Sequence, residues 1–133
     1  MRYLVVTRSN TILLRMLMLA PLVVAPRFAL AHHSGLMFDP KQQITLLGTV
    51  REFQWTNPHC WIQLDVSGPK GLEEWSIEMA APAEVFRGGW RPKTLKAGDR
   101  IRVTMHPSRD GARAGLFMSA AGPSGNPLGA GRR

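Results

Sequence analysis

Short runs in which apolar and polar side chains alternate recur along much of this chain, and this alternation constrains the fold more than any other feature. A period of two residues is that of a β-strand with one buried face. Clusters of Gly, Pro, Asn and Asp end the runs, as at residues 67–71. The pattern therefore predicts an all-β domain built from short strands. In the clearest run, residues 59–66, the apolar side chains that share one face are Cys60, Ile62, Leu64 and Val66.

Five runs predict strands, and one intervening segment predicts a helix. Pro82–Arg87 fits a short helix because proline suits a first helical turn and Gly88–Gly89 follows it. Three meandering strands, a short helix and two further strands are the order of a small five-stranded OB-like β-barrel. Another small β-sandwich or an open β-roll is the alternative. The predicted strands are Ile44–Trp55, His59–Val66, Leu72–Met79, Arg100–His106 and Leu116–Ala120.

The first predicted strand contains a slip in its pattern. Up to Val50 the apolar residues occupy even-numbered positions. Beyond Arg51–Glu52 they occupy odd-numbered positions, as Phe53 and Trp55 show. Such a slip predicts a β-bulge and a sharp bend. A long bent first strand supports the barrel, because that strand has to serve both halves of a closed sheet.

Residues 1–31 have the order of a secretory signal peptide. Three arginines precede the apolar stretch 16–24, and Ala29 and Ala31 form a small-x-small cleavage site. A membrane anchor is the alternative, but the apolar stretch is shorter than the ~20 residues of a spanning helix. Cleavage after Ala31 predicts a periplasmic or secreted protein without a stable membrane anchor, whose mature chain begins at His32.

Removal of the signal peptide changes the charge of the protein. The whole chain has 17 basic and 9 acidic residues, and the mature part of 102 residues keeps a net charge of only +4. Arg100 and Arg102 share an outward face, but Glu74 and Glu78 could neutralise them across the sheet. We therefore expect one small domain and no nucleic-acid partner.

Composition divides the mature chain into three parts. Residues 32–43 form an extended leader, residues 44–121 form the OB-like β-barrel, and residues 122–133 form a tail rich in Gly and Pro. We expect the tail to be disordered, because it has almost no apolar side chains with which to pack on the barrel.

Three blocks of sequence match a known family in order. They are Ala31–Ser34, Trp55–His59 and the stretch from Gly89 to Asp99. They resemble a family of small exported bacterial proteins of unknown function, whose mature chains begin with His-His-Ser and carry a W-T-N-P-H-x-W block. The resemblance covers residues 31–120 and implies a shared fold and an exported compartment, but no established activity. Cys60 departs from the family pattern, in which a β-branched residue such as valine is expected.

The histidines suggest a metal site. As the first mature residue, His32 offers an α-amine and an imidazole to one ion, and His33 could chelate through its ring together with that amine. Nitrogen-rich coordination suits Cu(II) or Ni(II), so copper is the expected cofactor. His59 and His106 are the other two histidines, and a leader folded back on the barrel could bring them to His32. The alternative is a set of solvated histidines without metal.

Aromatic side chains outside the core pattern suggest a second surface. Trp61 shares the outward face of His59, and with Trp90 and Asn57 it forms a candidate surface for a ligand or partner. The alternative is that Trp61 covers one end of the barrel beside Trp90. Cys60 alternates inward, which favours a small buried side chain over a nucleophile.

Sequence motifs of enzymes are missing from this chain. It has no Gly-rich phosphate loop, no G-x-S-x-G motif and no pair of histidines at metal-binding helical spacing. We therefore expect a binding protein rather than an enzyme, whose partner is an exported protein or a small ligand. A second interpretation is an accessory module that docks without metal on a larger envelope or exported protein through its tryptophan surface. A third is an enzyme that uses a terminal-histidine copper centre for oxidative chemistry.

Overall fold

The computed structural model describes residues 34–129. Within that range the chain has six β-strands, one short α-helix and a 3₁₀ turn at Ser34–Met37. The helical segments of residues 34–129 lack the length and the apolar composition of a membrane-spanning helix. The strands are β1 (Ile44–Gln54), β2 (Trp61–Gly68), β3 (Gly71–Glu78), β4 (Arg100–Pro107), β5 (Ala114–Ala121) and β6 (Pro127–Leu128), and the helix is α1 (Pro82–Arg87).

Strands β1 to β5 close into a barrel. β2 pairs antiparallel with β1 and β3, and β4 pairs antiparallel with β1 and β5. A short parallel pairing of residues 76–78 with residues 114–116 joins β3 to β5 and completes the circle. This strand order, with α1 between β3 and β4, is that of a five-stranded OB-like barrel. The predicted fold class, all-β with one short helix, is confirmed.

β1 bends through a bulge that lets it serve both halves of the barrel. It pairs with β4 over Ile44–Thr49 and with β2 over Thr49–Gln54. The register with β2 shifts between Val50 and Glu52, so one residue is passed over in the ladder. Val50 and Phe53 therefore both pack in the core, and the pattern slip in the sequence predicted this feature correctly.

The barrel interior is filled by alternate side chains of its strands, and burial of their apolar surface is the main stabilising contribution. Gly48 of β1 is required by close packing. A Cβ at this position would lie 2.6 Å from the backbone oxygen of Asp65 and 2.7 Å from Cγ of Leu64. The fully buried side chains, with exposures of 0%, are Cys60, Ile62, Leu64, Ile77, Val103 and Met105.

The described part of the leader packs against the end of β4. Phe38 is 5% exposed and forms a β-bridge with Ser108. The backbone N–H of Asp39 donates a hydrogen bond of 2.9 Å to the carbonyl of Pro107. This part of the leader is therefore anchored on the barrel by one buried side chain and by backbone hydrogen bonds.

The described part of the tail adds the short strand β6. It pairs antiparallel with the end of β5, where Leu128 lies opposite Ala120, and Leu128 packs against the core. The signal peptide predicted at residues 1–31 and the last four residues, 130–133, lie outside the described residues. The disorder expected for the tail as a whole stays a prediction.

Candidate functional site

One pair in the described part of the chain joins a histidine to a nearly buried carboxylate. His59 lies directly before β2 and Glu78 ends β3, and Nδ1 of His59 contacts Oε1 of Glu78. Backbone hydrogen bonds from Met79 to Cys60 (2.9 Å) and from Cys60 to Ala80 (3.1 Å) hold the two strand ends together. The side chains of His59 and Glu78 are 28% and 6% exposed, so the carboxylate is buried while the imidazole reaches solvent.

This contact decides which nitrogen of His59 is free. An ionised carboxylate only accepts hydrogen bonds, so Nδ1 of His59 donates to Glu78 and Nε2 keeps its lone pair when the ring is neutral. A carboxylate on one ring nitrogen is the usual support of a histidine that ligates a metal through the other. The pair can therefore orient a metal ligand.

Glu78 is the residue of this site that the sequence pattern did not single out. Alternation places it on the outer face of β3 and predicts an exposed side chain, yet Glu78 is only 4% exposed. Its cross-strand partners are Trp61 of β2 and Leu116 of β5, so residues with large side chains occupy the positions on both sides of it. One feature of the sequence could have identified Glu78 as the partner of His59: both residues occupy outward positions at the ends of two consecutive strands that pair.

The structure does not bring His106 to His59. His106 pairs with Leu116 of β5, which in turn pairs with Glu78 of β3, so the three lie in one row across the barrel. Two strand spacings of about 4.8 Å separate the backbones of His106 and Glu78. Nδ1 of His106 instead donates to the carbonyl of Gln42 in the leader (2.7 Å), because a carbonyl can only accept.

The predicted metal-site residues are therefore only partly placed. Among residues 34–129 no group of three or more His, Cys, Asp or Glu side chains is close enough to hold a metal ion. His32 and His33 lie outside the described residues, as do Ala29 and Ala31 of the predicted cleavage site. A metal site built from the N-terminus and His59 stays a prediction.

The two tryptophans of the predicted partner surface lie in different environments. Trp61 is half-buried on the outer face of β2. Trp90 is only 3% exposed and packs in the core, with its ring 5.7 Å from Phe53 and 5.5 Å from Phe117. The chain turns inward after α1, where the N–H of Trp90 donates to the carbonyl of Val85 (3.2 Å). A partner surface that uses Trp90 is therefore not available, because the core occupies its ring.

Asn57 is an exposed residue of the loop between β1 and β2. The neighbouring hydroxyl of Thr56 donates to the carbonyl of His59 (2.9 Å), which ties this loop to the start of β2. Asn57 thus lies at the rim of the face that carries Trp61, close in sequence to the histidine–carboxylate pair.

A row of polar side chains crosses the outer face of β1, β2 and β3. The hydroxyl of Ser76 donates to Oε1 of Gln63 (2.6 Å), and Nε2 of Gln63 donates to Oε1 of Gln54 (3.3 Å). Nε2 of Gln54 in turn donates to Glu52 (3.0 Å). Alternation along single strands does not reveal that side chains of three strands join into one hydrogen-bonded row.

Charge is distributed unevenly over the barrel surface. Glu74 pairs with Arg51 and Glu78 pairs with His59, so the expectation that these two glutamates neutralise Arg100 and Arg102 was wrong. The reason is register: Glu74 lies opposite β2, whereas both arginines lie on β4. Among residues 34–129 the two β4 arginines form no ion pair.

Cys60 is fully buried between His59 and Trp61. Burial in the apolar core raises the pKa of its thiol, which keeps the side chain protonated and unreactive at neutral pH. Cys60 is a core residue and contributes nothing to the ligand set of the candidate site.

Comparison with known proteins gives a family without an assigned activity. A model of the Family of unknown function (DUF6152) matches residues 20–118. No curated protein matches the chain. Two crystal structures of the mitochondrial single-stranded DNA binding protein Rim1 from S. cerevisiae are similar at 8% and 11% identity, with TM-scores of 0.47 and 0.45. The alignments cover 69% and 62% of this chain and 98% and 94% of Rim1. The strand pairing of the chain itself establishes its fold.

Proposed function

The chain belongs to the DUF6152 family of unknown function, and we propose that it is an exported β-barrel protein that binds one divalent metal ion, with copper preferred. The proposed ligands are Nε2 of His59 and the nitrogens of the mature N-terminus, His32 and His33. The observation that carries the proposal is the contact between Nδ1 of His59 and the buried carboxylate of Glu78. That contact leaves the lone pair of Nε2 free to coordinate a metal ion and fixes the orientation of the imidazole ring.

The donor set favours copper over harder metals. A terminal amine and imidazole nitrogens form a nitrogen-rich set, which suits Cu(II) in a tetragonal geometry, whereas Mg²⁺ and Ca²⁺ prefer oxygen ligands. In this proposal Glu78 is not a ligand but the support of one. Its role is to hold the imidazole of His59 in the orientation that presents Nε2.

The length of the leader is compatible with such a site. The N–H of Arg109 donates to the carbonyl of Met37 (2.9 Å), which places residue 37 beside the loop between β4 and β5. His32 precedes Met37 by five residues: two extended residues span up to about 7 Å, and the 3₁₀ turn Ser34–Met37 adds about 6 Å at about 2 Å per residue. The three strand spacings between β4 and β2 across the barrel amount to about 14 Å. This segment is slightly shorter than that separation, and in the proposed site the imidazole side chains of His32 and His59 span the remainder.

Intact mass under native conditions tests the proposal. The full chain is expressed with its predicted signal peptide, purified from the exported fraction and measured with and without one equivalent of Cu(II). We expect a chain that begins at His32 and retains one copper ion. Replacing both His32 and His33 by alanine should abolish tight binding, because it removes both imidazoles from the N-terminal segment.

Variants of the barrel residues separate the proposed ligand from its support. His59→Ala should lower the copper affinity, and Glu78→Gln should lower it about 10- to 100-fold, the usual cost of losing such a support. His106→Ala is the matched control and should leave the affinity unchanged, because its ring is bound to the leader. Unchanged stoichiometry and affinity in a folded His59→Ala protein would refute the proposal.

The second candidate function is an accessory module that docks on a larger exported or envelope protein without metal. The half-buried Trp61 on the outer face of β2 favours it. Under this alternative, copper does not change how the protein binds its partner, and the Trp61→Ala variant no longer captures that partner. Tight copper binding that depends on His59 would contradict it.

A further inference from the structure

The polar row on the outer face of β1, β2 and β3 serves no purpose in the proposed metal site. Gln54, Gln63 and Ser76 are half-buried and bonded to one another over three neighbouring strands. Side chains that hold one another in place lose little entropy when a ligand binds. The row is therefore a preorganised set of neutral hydrogen-bonding groups.

Trp61 lies directly beside this row. It is the cross-strand partner of Gln54 in β1, and it precedes Gln63 by two residues on the same face of β2. Opposite residues in an antiparallel pair have Cβ atoms about 5 Å apart. The indole ring of Trp61 and the amides of Gln54 and Gln63 thus form one continuous surface, which we call the Trp61 face.

We propose that the Trp61 face, made of Gln54, Trp61, Gln63 and Ser76, binds a neutral oligosaccharide. The indole ring offers an apolar surface for the C–H face of a sugar ring. Each glutamine amide in the row keeps one N–H and one acceptor lone pair free, and a sugar hydroxyl can both donate and accept. The strand β2–β3 face is also where OB-folds bind oligonucleotides and oligosaccharides.

The charges on this side of the barrel favour a neutral ligand over a nucleic acid. Glu52, Asp65 and Glu74 share the outer face with the row, and the nearby Arg51 is already paired with Glu74. Phosphate groups are bound through unpaired lysine and arginine side chains, which this face does not present among the described residues. An acidic rim around a neutral centre repels a polyanion and leaves an uncharged sugar unaffected.

The backbone of the Trp61 face rules out recognition of a peptide by strand addition. From Trp61 to Asp65, β2 is paired with β1 on one side and with β3 on the other. Strand addition requires a free sheet edge, so a ligand can reach only the side chains here. Side-chain stacking and hydrogen bonding to hydroxyl groups fit this restriction.

Calorimetric titration and tryptophan fluorescence with cellohexaose and fully N-acetylated chitohexaose test the inference. The protein obtained by expressing the full chain is titrated in a buffer that contains EDTA. Because EDTA removes metal ions, the result does not depend on the proposed copper site. We expect saturable binding of at least one of the two neutral hexasaccharides, together with a change in tryptophan emission. Absence of both signals with both sugars would overturn the proposal.

Variants locate the binding to the Trp61 face. Trp61→Ala should weaken the affinity at least tenfold, whereas Trp61→Phe should retain part of it because a ring remains. Gln63→Ala should weaken it about threefold or more without removing the ring, so a folding failure of Trp61→Ala does not leave the question open. Arg102→Ala on β4 is the control and should bind as the wild type does. Sugar binding unchanged in Gln63→Ala and Trp61→Phe, or preferential binding of single-stranded oligo-dT to this face, would contradict the inference.

Discussion

Replacing His59 by alanine should destabilise the barrel more than replacing Glu78 does, although the two side chains form one pair. His59→Ala leaves a carboxylate that is only 6% exposed without its partner. Removal of one partner from a buried ion pair costs about 3–5 kcal/mol. Because His59 is itself 28% exposed, its removal admits some water, and we expect a loss of about 3 kcal/mol.

Glu78→Ala has a smaller expected cost. It leaves an imidazole that water can reach, so the loss is one charge-assisted hydrogen bond and one buried methylene group. These amount to about 2 kcal/mol after the carboxylate's own desolvation is relieved. The double variant, with alanine at both positions, has no buried carboxylate without a partner. Its loss of stability should therefore be about 3 kcal/mol rather than about 5 kcal/mol, the sum of the two single losses.

Urea unfolding at pH 7, followed by tryptophan fluorescence, measures these differences without metal. Glu74→Ala is the matched control, because its pair with Arg51 is exposed on both sides and such pairs contribute little. Equal losses in His59→Ala and Glu74→Ala, or strict additivity in the double variant, would refute the reasoning.

Three further predictions concern the core. Ile77→Ala should cost about 2–5 kcal/mol in urea unfolding, since Ile77 is 0% exposed and its removal leaves a cavity; a loss below about 1 kcal/mol would contradict the packing. Gly48→Ala should cost about 1–3 kcal/mol in the same assay, because the added Cβ meets the backbone of Asp65 at 2.6 Å. Burial raises the pKa of the Cys60 thiol, so the folded state keeps its proton at pH values where the unfolded chain loses it. The free energy of unfolding should therefore keep its full value at pH 7 and decrease as the pH rises above the ordinary thiol pKa of about 8.5. Cys60→Val should remove this part of the pH dependence.

Much of the fold could be predicted because its signals are local. The period of two, the Gly and Pro turns and the slip at residues 51–52 each lie within a few residues of the feature they specify. The helix Pro82–Arg87 was predicted with its observed bounds for the same reason. The strand ends differ by a few residues, because pairing partners decide where a ladder stops.

The candidate site was less predictable because it depends on register between strands. Alternation places His59 and Glu78 on outward positions but does not say that their side chains meet or that the carboxylate is buried. Trp90 lies in an irregular segment without periodicity, so its burial follows from the path of the chain after α1. His106 has a partner in the leader, Gln42, and no local pattern shows such a contact.

Electron paramagnetic resonance of the Cu(II) complex of the exported protein tests the proposed metal site most directly, because it counts coordinated nitrogens. We compare the wild type with His59→Ala and with His106→Ala, after circular dichroism has verified that both variants are folded. Our proposal predicts a nitrogen-rich tetragonal signal that loses one imidazole nitrogen in His59→Ala and is unchanged in His106→Ala. Identical spectra for the wild type and His59→Ala, or no specifically bound Cu(II), would contradict it.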